Sequence, residues 1–302
     1  MDKPLRIGRI VTESDKSKAD CSKIQNKNEN SCFDVRKPRY KYDDLILPQN
    51  VWHELDILQS MIVNHNLIYH VWGMDKIDPY GDQLAFNLYG PPGTGKTMIV
   101  EALCNRWNKQ LIDINLSQLE SKYVGETGKN IVQAFQQARE YNAVLFFDEA
   151  DTVLGKRLSN ITQSADSSVN TARGVMLKQL EQHTGIVAFA TNFACNYDPA
   201  FVRRILKHIY IPLPDFEARK KLWQIKIPNN APGYKQLNFE ELSEISEGMS
   251  GGDILVSVKN ALFDAACSTE QTVSNEIVLS AINAVKTSKE KIGVTGVAHG
   301  IA

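Results

Sequence analysis

No stretch of the sequence approaches the roughly 18 unbroken apolar residues that a bilayer crossing requires. The chain opens Met1-Asp2-Lys3-Pro4-Leu5, without the apolar centre of a secretory leader. A soluble, cytoplasmic protein with no membrane span is therefore expected. Cysteine is sparse: Cys21, Cys32, Cys104, Cys195 and Cys267 are scattered, with no C-x-x-C pair and no His at zinc-ligand spacing. That pattern argues against a disulfide framework or a structural zinc and leaves plain reduced thiols. Charge of one sign is missing too. Lys and Arg number 34 against 35 Asp and Glu, a formal net charge of −1, and the basic residues are dispersed. The electrostatic footprint of a nonspecific nucleic-acid binder is absent, so a nucleic-acid partner is not expected. Without export, the sequons at Asn115 and Asn160 read as chance matches.

What is present is 302 residues with an ordinary 43% hydrophobic content, enough for one large domain or two smaller ones. Residues 11–42 are rich in Ser, Lys, Asn, Asp and Glu and show neither helical nor strand period, which predicts a flexible N-terminal arm over 1–42. From Val51 to Met74 apolar residues recur at helical spacing (Val51, Leu55, Leu58, Ile62, Leu67, Val71), predicting an amphipathic helix whose aromatic and Met positions enter the core. Short apolar runs then alternate with helical stretches. Leu84 to Leu88, Leu111 to Ile114, Val144 to Phe147, Ile186 to Ala190 and Ile209 to Ile211 read as strands. The alternation predicts an α/β fold with a parallel sheet covered by helices on both faces. Beyond Pro214 strand signals stop, and helices near 215–226, 239–247, 250–267 and 274–290 suggest a small α-helical domain. Residues 43–214 are then the large domain, 215–290 the helical one, and 291–302 a loose tail.

Gly90-Pro91-Pro92-Gly93-Thr94-Gly95-Lys96-Thr97 satisfies G-x-x-x-x-G-K-[ST] between a predicted strand and a predicted helix. Glycines let backbone N–H groups curl around phosphates, and the helix N-terminus adds the positive end of its dipole. Lys96 should reach the β and γ phosphates, and Thr97 should ligate Mg²⁺. Further on, Ala143-Val144-Leu145-Phe146-Phe147 ends in Asp148-Glu149. An apolar strand closing on two acids suits a nucleotide hydrolase: Asp148 holds the metal through water, and Glu149 orients and polarises the attacking water. The next strand ends Ala190-Thr191-Asn192, setting an amide beside the acids, where it can contact the γ-phosphate, the lytic water or only its own loop. Asp198-Pro199-Ala200-Phe201-Val202-Arg203-Arg204 puts two cations at the end of a short helix, a pattern equally compatible with a solvated face.

Taken together these motifs resemble the AAA subfamily of AAA+ ATPases, particularly the katanin, spastin and ESCRT-disassembly group. The resemblance covers about residues 44–290 and is carried by Gly90 to Thr97, Lys122-Tyr123-Val124-Gly125-Glu126, Asp148-Glu149-Ala150-Asp151, Thr191-Asn192, Asp198 to Arg204, Ile209-Tyr210-Ile211-Pro212-Leu213-Pro214-Asp215 and Ser250-Gly251-Gly252-Asp253-Ile254. It implies the P-loop three-layer fold followed by a helical lid, ATP and Mg²⁺ as cofactors, and a homo-oligomeric ring, usually a hexamer. It places Met98 and Gly252 at the nucleotide with the P-loop residues, makes Asn192 the sensor, and makes Arg203 and Arg204 fingers that act on a neighbouring subunit's ATP. Lys122, Tyr123 and Val124 correspond to a central pore loop that grips a polypeptide substrate. The implied activity is ATP-driven unfolding or disassembly of a protein, with recognition through the arm, the pore face or a separate adaptor.

Val202 and Ile205 depart from the group's arginine run, which leaves open which arginine is the principal finger. A nonthreading assembly switch is a second reading, and Tyr123 speaks against it. A nucleic-acid motor is a third, prompted by Asp148-Glu149-Ala150-Asp151, although the residues after 215 are too few and too helical for a second motor domain. Within the remodellers, bacterial ATPases acting on HORMA-domain proteins in antiphage signalling form a further subgroup to consider.

Overall fold

A computed structural model describes residues 33–78, 83–115, 127–155, 164–192 and 197–292. Among these residues six strands form one sheet in the order β1-β3-β4-β5-β2-β6: β1 Val35–Arg36, β2 Leu84–Tyr89, β3 Leu111–Asn115, β4 Val144–Asp148, β5 Ile186–Thr191 and β6 Lys207–Tyr210. All neighbours run parallel except β1, which pairs antiparallel with β3 at the edge. The central strands are apolar along most of their length because helices cover both faces, as a parallel sheet requires.

Alternation along the strands sends neighbours to opposite faces. Phe86, Leu88, Val144, Phe146, Ala188 and Ala190 pack against α1 (Gln49–Asn66) and α2 (Lys96–Arg106). Ala85, Leu145, Phe147, Val187 and Phe189 pack against α3 (Thr127–Tyr141) and α5 (Ser164–Gln182), with α4 (Asp151–Leu154) between them in sequence. After Pro214 the chain builds a third core from α7 (Phe216–Lys226), α8 (Phe239–Ile245), α9 (Gly251–Cys267) and α10 (Asn275–Lys291), with Trp223, Leu242, Ile254 and Ile282 at its centre. Each of these four helices starts on a side-chain cap, Asp215, Asn238, Ser250 or Ser274, that satisfies an otherwise orphaned N–H.

Two expectations change. The stretch 33–42 is not featureless: Val35–Arg36 joins the sheet, and Arg36 is fixed between Glu101 at 2.8 Å and Asp113 at 3.0 Å. A two-residue strand carries no legible period, and its anchor lies far along the chain. The helix expected to reach Met74 ends at Asn66 and passes through a π-helical turn at Leu67–Val71 before Gly73, at φ +81°, reverses the chain. The wider turn rotates the residues at its end out of the apolar stripe, so Val71 and Trp72, expected in the core, are 67% and 72% exposed.

Candidate nucleotide site

β2 delivers the chain to Gly90 at the carboxyl edge of the sheet, where open α/β folds bind ligands. The turn is built for glycine. Gly90 has φ +147°, and a Cβ there would meet the Ile211 carbonyl oxygen at 2.2 Å; Gly93 has φ +76°, and its Cβ would meet Ser250 Oγ at 2.5 Å. Thr94 Oγ1 donates to the Pro91 carbonyl at 2.9 Å and tightens the loop. Gly95 then starts α2, so the free N–H groups of that helix face the concavity of the turn. Lys96 lies at the base, its ammonium donating to the Gly90 and Pro91 carbonyls at 2.8 and 2.9 Å. Burial pulls its pKa below the usual lysine range, against the opposing pull of the Asp148 and Asp151 carboxylates. A buried ammonium held by carbonyl oxygens is suited to exchange them for phosphate oxygens.

Thr97 Oγ1 donates to Asp148 Oδ2 at 2.9 Å, bringing together the two oxygens that the sequence assigns to a metal. A hydroxyl and a carboxylate are hard donors of the kind Mg²⁺ takes, and the pair fits that ion. Among the described residues no group of three or more His, Cys, Asp and Glu could hold a metal. A cation at Thr97 and Asp148 would therefore draw its other oxygens from water and phosphate.

Glu149 follows Asp148 with φ +52°, in the left-handed region that non-glycine residues rarely occupy, and its N–H donates to Asp148 Oδ1 at 2.9 Å. The turn sends the two carboxylates to different partners. Asp148 faces Thr97, while the Glu149 carboxylate accepts from Asn115 Nδ2 at 3.0 Å. Asn115 sits opposite Asp148 in the β3–β4 register. Sequence reasoning noted Asn115 only as a sequon; its place at the end of the strand beside the acidic one was the available signal. Asn192 lies one residue beyond β5, and its N–H reaches Asp151 Oδ2 at 3.5 Å. Ala150 N–H donates to the Ala190 carbonyl at 3.0 Å, so the acidic turn and the Asn192 strand are joined.

Beside the P-loop lies a cavity of 510 Å³ lined by Asp43, Leu45, Gly93, Met98, Leu222 and Gly252 among others, within the size range of small-molecule sites. Gly252 N–H donates to the Gly93 carbonyl at 3.0 Å. Ser250 and Asp253 form a reciprocal cap at the start of α9, and Lys289 of α10 pairs with Asp253 at 2.7 Å. The helical region thus grips the phosphate turn directly. Met98 and Gly252 both line this cavity, beside Gly93, Thr94 and Gly95.

The arginines are elsewhere. α6 (Pro199–Val202) is capped by Asp198, which accepts from Ala200 N–H at 2.8 Å, and Arg203 and Arg204 follow it. They line a separate, shallower hollow of 380 Å³ with Tyr69, Asp78, Gln83 and Glu181. Arg204 is engaged by Glu181 and by the Ala200 carbonyl at 2.8 Å, whereas Arg203 is exposed. The arginines share no lining residue with the P-loop cavity. Lys122, Tyr123 and Val124 lie outside the described residues.

A parallel sheet with a P-loop on one strand and an acid pair on another defines a P-loop nucleotide-binding protein. Residues 86–213 match the ATPase family associated with various cellular activities (AAA). It is 33% identical over 192 residues to protein SUPPRESSOR OF K(+) TRANSPORT GROWTH DEFECT 1 of Arabidopsis thaliana, covering 63% of this chain and 44% of that protein. It is 30% identical over 264 residues to vacuolar protein sorting-associated protein 4 of Dictyostelium discoideum (84% and 56%). With the cell division cycle protein 48 homolog of Archaeoglobus fulgidus it shares 39% identity over 175 residues (55% and 23%). The chain thus spans about half or less of the length of these curated relatives. Among the described residues no helix is long and apolar enough to cross a membrane.

Proposed function

We propose that the chain hydrolyses ATP with Mg²⁺ and, as a ring-shaped homo-oligomer, uses the energy to unfold or disassemble a protein partner. The observation that carries the hydrolytic part is the linked set Thr97–Asp148–Glu149–Asn115, in which one acid faces the metal-side hydroxyl and the other is held apart by an amide. Bound Mg²⁺ neutralises phosphate charge. Lys96 and the P-loop N–H groups cradle the phosphates, Thr97 and Asp148 orient the metal and its water, and Asn115 aims the Glu149 carboxylate that polarises the nucleophile. Asn192 closes the same edge. Base and ribose take the cavity beside Met98 and Gly252, so that the helical region feels whether nucleotide is bound.

Arg203 and Arg204, in a hollow of their own, complete the pocket of the adjacent subunit as trans-acting fingers, a role a guanidinium fork suits. A ring follows from that division, with Tyr123 as its substrate-gripping residue by resemblance.

Lys96→Ala should abolish nucleotide binding, while Glu149→Gln should keep ATP bound and stall its hydrolysis, read as nucleotide affinity and phosphate release on each variant. Equal loss of binding in both would remove the division of labour between the two motifs.

A further inference from the structure

The sheet face that packs against α3 and α5 contains polar groups which the nucleotide site does not use. Asn87 lies in the middle of β2, fully buried, in register with Phe189 of β5 on one side and His208 of β6 on the other. Its amide Nδ2 donates to the Tyr197 hydroxyl at 3.1 Å and approaches His208 Nδ1 at 3.5 Å. The same hydroxyl is hydrogen-bonded to Thr191 Oγ1 at 2.7 Å, where either oxygen can donate, and the Tyr197 ring stacks on His208 at 5.9 Å. Among the described residues Asn87 Oδ1 has no hydrogen-bond partner. An incompletely satisfied buried amide lowers stability, so its presence in an otherwise apolar strand calls for a use elsewhere.

Tyr197 stands at a junction. Thr191, one end of its hydroxyl contact, immediately precedes Asn192. On its other side comes Asp198, which caps α6, the helix that Arg203 and Arg204 follow. The Tyr197 backbone bridges Gly155, and Asp198 N–H donates to the Leu154 carbonyl at 2.8 Å, which ties the segment to the helix following the acidic turn. The sheet is the rigid partner in this arrangement, since Asn87 and Thr191 belong to paired neighbouring strands. α6, with four residues, cannot hold its direction alone.

We propose that Tyr197 is a positioning residue: its hydroxyl, clamped between Asn87 and Thr191, fixes the placement of the Arg203–Arg204 segment that each subunit offers to its neighbour. The assignment rests on the shared-site reading above. It locates the role of Tyr197 in the pocket of the adjacent subunit, which a residue serving only packing would not affect.

Tyr197→Phe keeps the ring and removes only the hydroxyl. With the purified full chain, turnover should fall about tenfold, the equivalent of about 1.4 kcal/mol, with nucleotide affinity unchanged. Activity should return when Tyr197→Phe is mixed with Lys96→Ala in demonstrably mixed assemblies, because intact P-loops of the first then meet correctly placed arginines of the second. The Arg203→Ala, Arg204→Ala double variant mixed with Lys96→Ala is the control. If the control is rescued and Tyr197→Phe is not, Tyr197 acts within its own subunit and the proposal is wrong. Unchanged turnover in Tyr197→Phe alone overturns it equally. If the control itself is not rescued, the shared-site reading fails and this assignment falls with it.

Discussion

The two faces of the sheet are built to different rules. Toward α1 and α2, Phe86, Leu88, Phe146, Ala188, Ala190 and Ile209 form an unbroken apolar layer with Ile99 and Leu103. Even the one thiol there, Cys104, has its pKa pushed up to about 12 by burial and is chemically inert. Toward α3 and α5 the layer is apolar at its base, with Leu145, Phe147, Val187 and Phe189. Asn87 in the middle of β2, Thr191 at the end of β5 and Tyr197 interrupt it, and His183 is buried against Phe135. The difference teaches where stability and function are separated. The first face holds the P-loop strand and its helix in place, and the second carries contacts that cost burial energy and connect the strand ends at the candidate site to the arginine segment.

The sharpest way to test the apolar face is Phe86→Ala. Phe86 is fully buried, and truncation should cost about 3 to 5 kcal/mol of unfolding free energy, measured by urea titration. A loss below about 1 kcal/mol would mean that the face tolerates collapse and is no more rigid than its opposite. On the other face His183 gives a pH signature. Burial, aided by the nearby Arg139 charge, lowers its pKa from the ordinary 6.5 to about 4. The unfolded chain then takes up the proton first as pH falls, so this contribution to stability is complete above pH 6.5 and is lost progressively toward pH 4. The loss should be on the order of 3 kcal/mol. Comparing urea midpoints of wild type and His183→Leu from about pH 7 to about pH 4 isolates it from titrating carboxylates. Parallel curves would show that His183 takes up its proton as readily in the folded protein as in the unfolded chain.

Much of this was legible in the sequence, for a physical reason. Parallel strands buried on both faces must be continuous apolar runs, so Leu84 to Leu88, Val144 to Phe147 and Ile186 to Ala190 identify themselves. The P-loop is equally plain, since Gly90 and Gly93 occupy conformations and contacts closed to other residues. Contacts made by single side chains across long sequence separations were not legible. Arg36 reaches Glu101, Asn115 reaches Glu149 and Asn87 reaches Tyr197, and no local period encodes any of them. Nor did the helical spacing from Val51 onward register the extra residue of the π-helical turn, which takes Trp72 to the surface.

Asn87→Leu should have the smallest effect on stability and is the most direct test of the contrast, because Asn87 is the immediate neighbour of Phe86 and points the opposite way. Leucine fills a similar volume, removes an unpartnered Oδ1 and leaves the Tyr197 hydroxyl its contact with Thr191. Replacing a buried polar group by a well-packed apolar one is commonly neutral or stabilising, so the change in unfolding free energy should lie within about 1 kcal/mol of zero, toward greater stability. Turnover should nevertheless fall, because the Asn87 hydrogen bond to Tyr197 is gone, while nucleotide affinity stays at the wild-type value. Two adjacent positions would then separate cleanly, one costing the fold and the other costing the rate. A destabilisation by Asn87→Leu as large as that of Phe86→Ala, with turnover per folded molecule unchanged, would mean that the polar cluster is a structural prop and that both faces serve the same end.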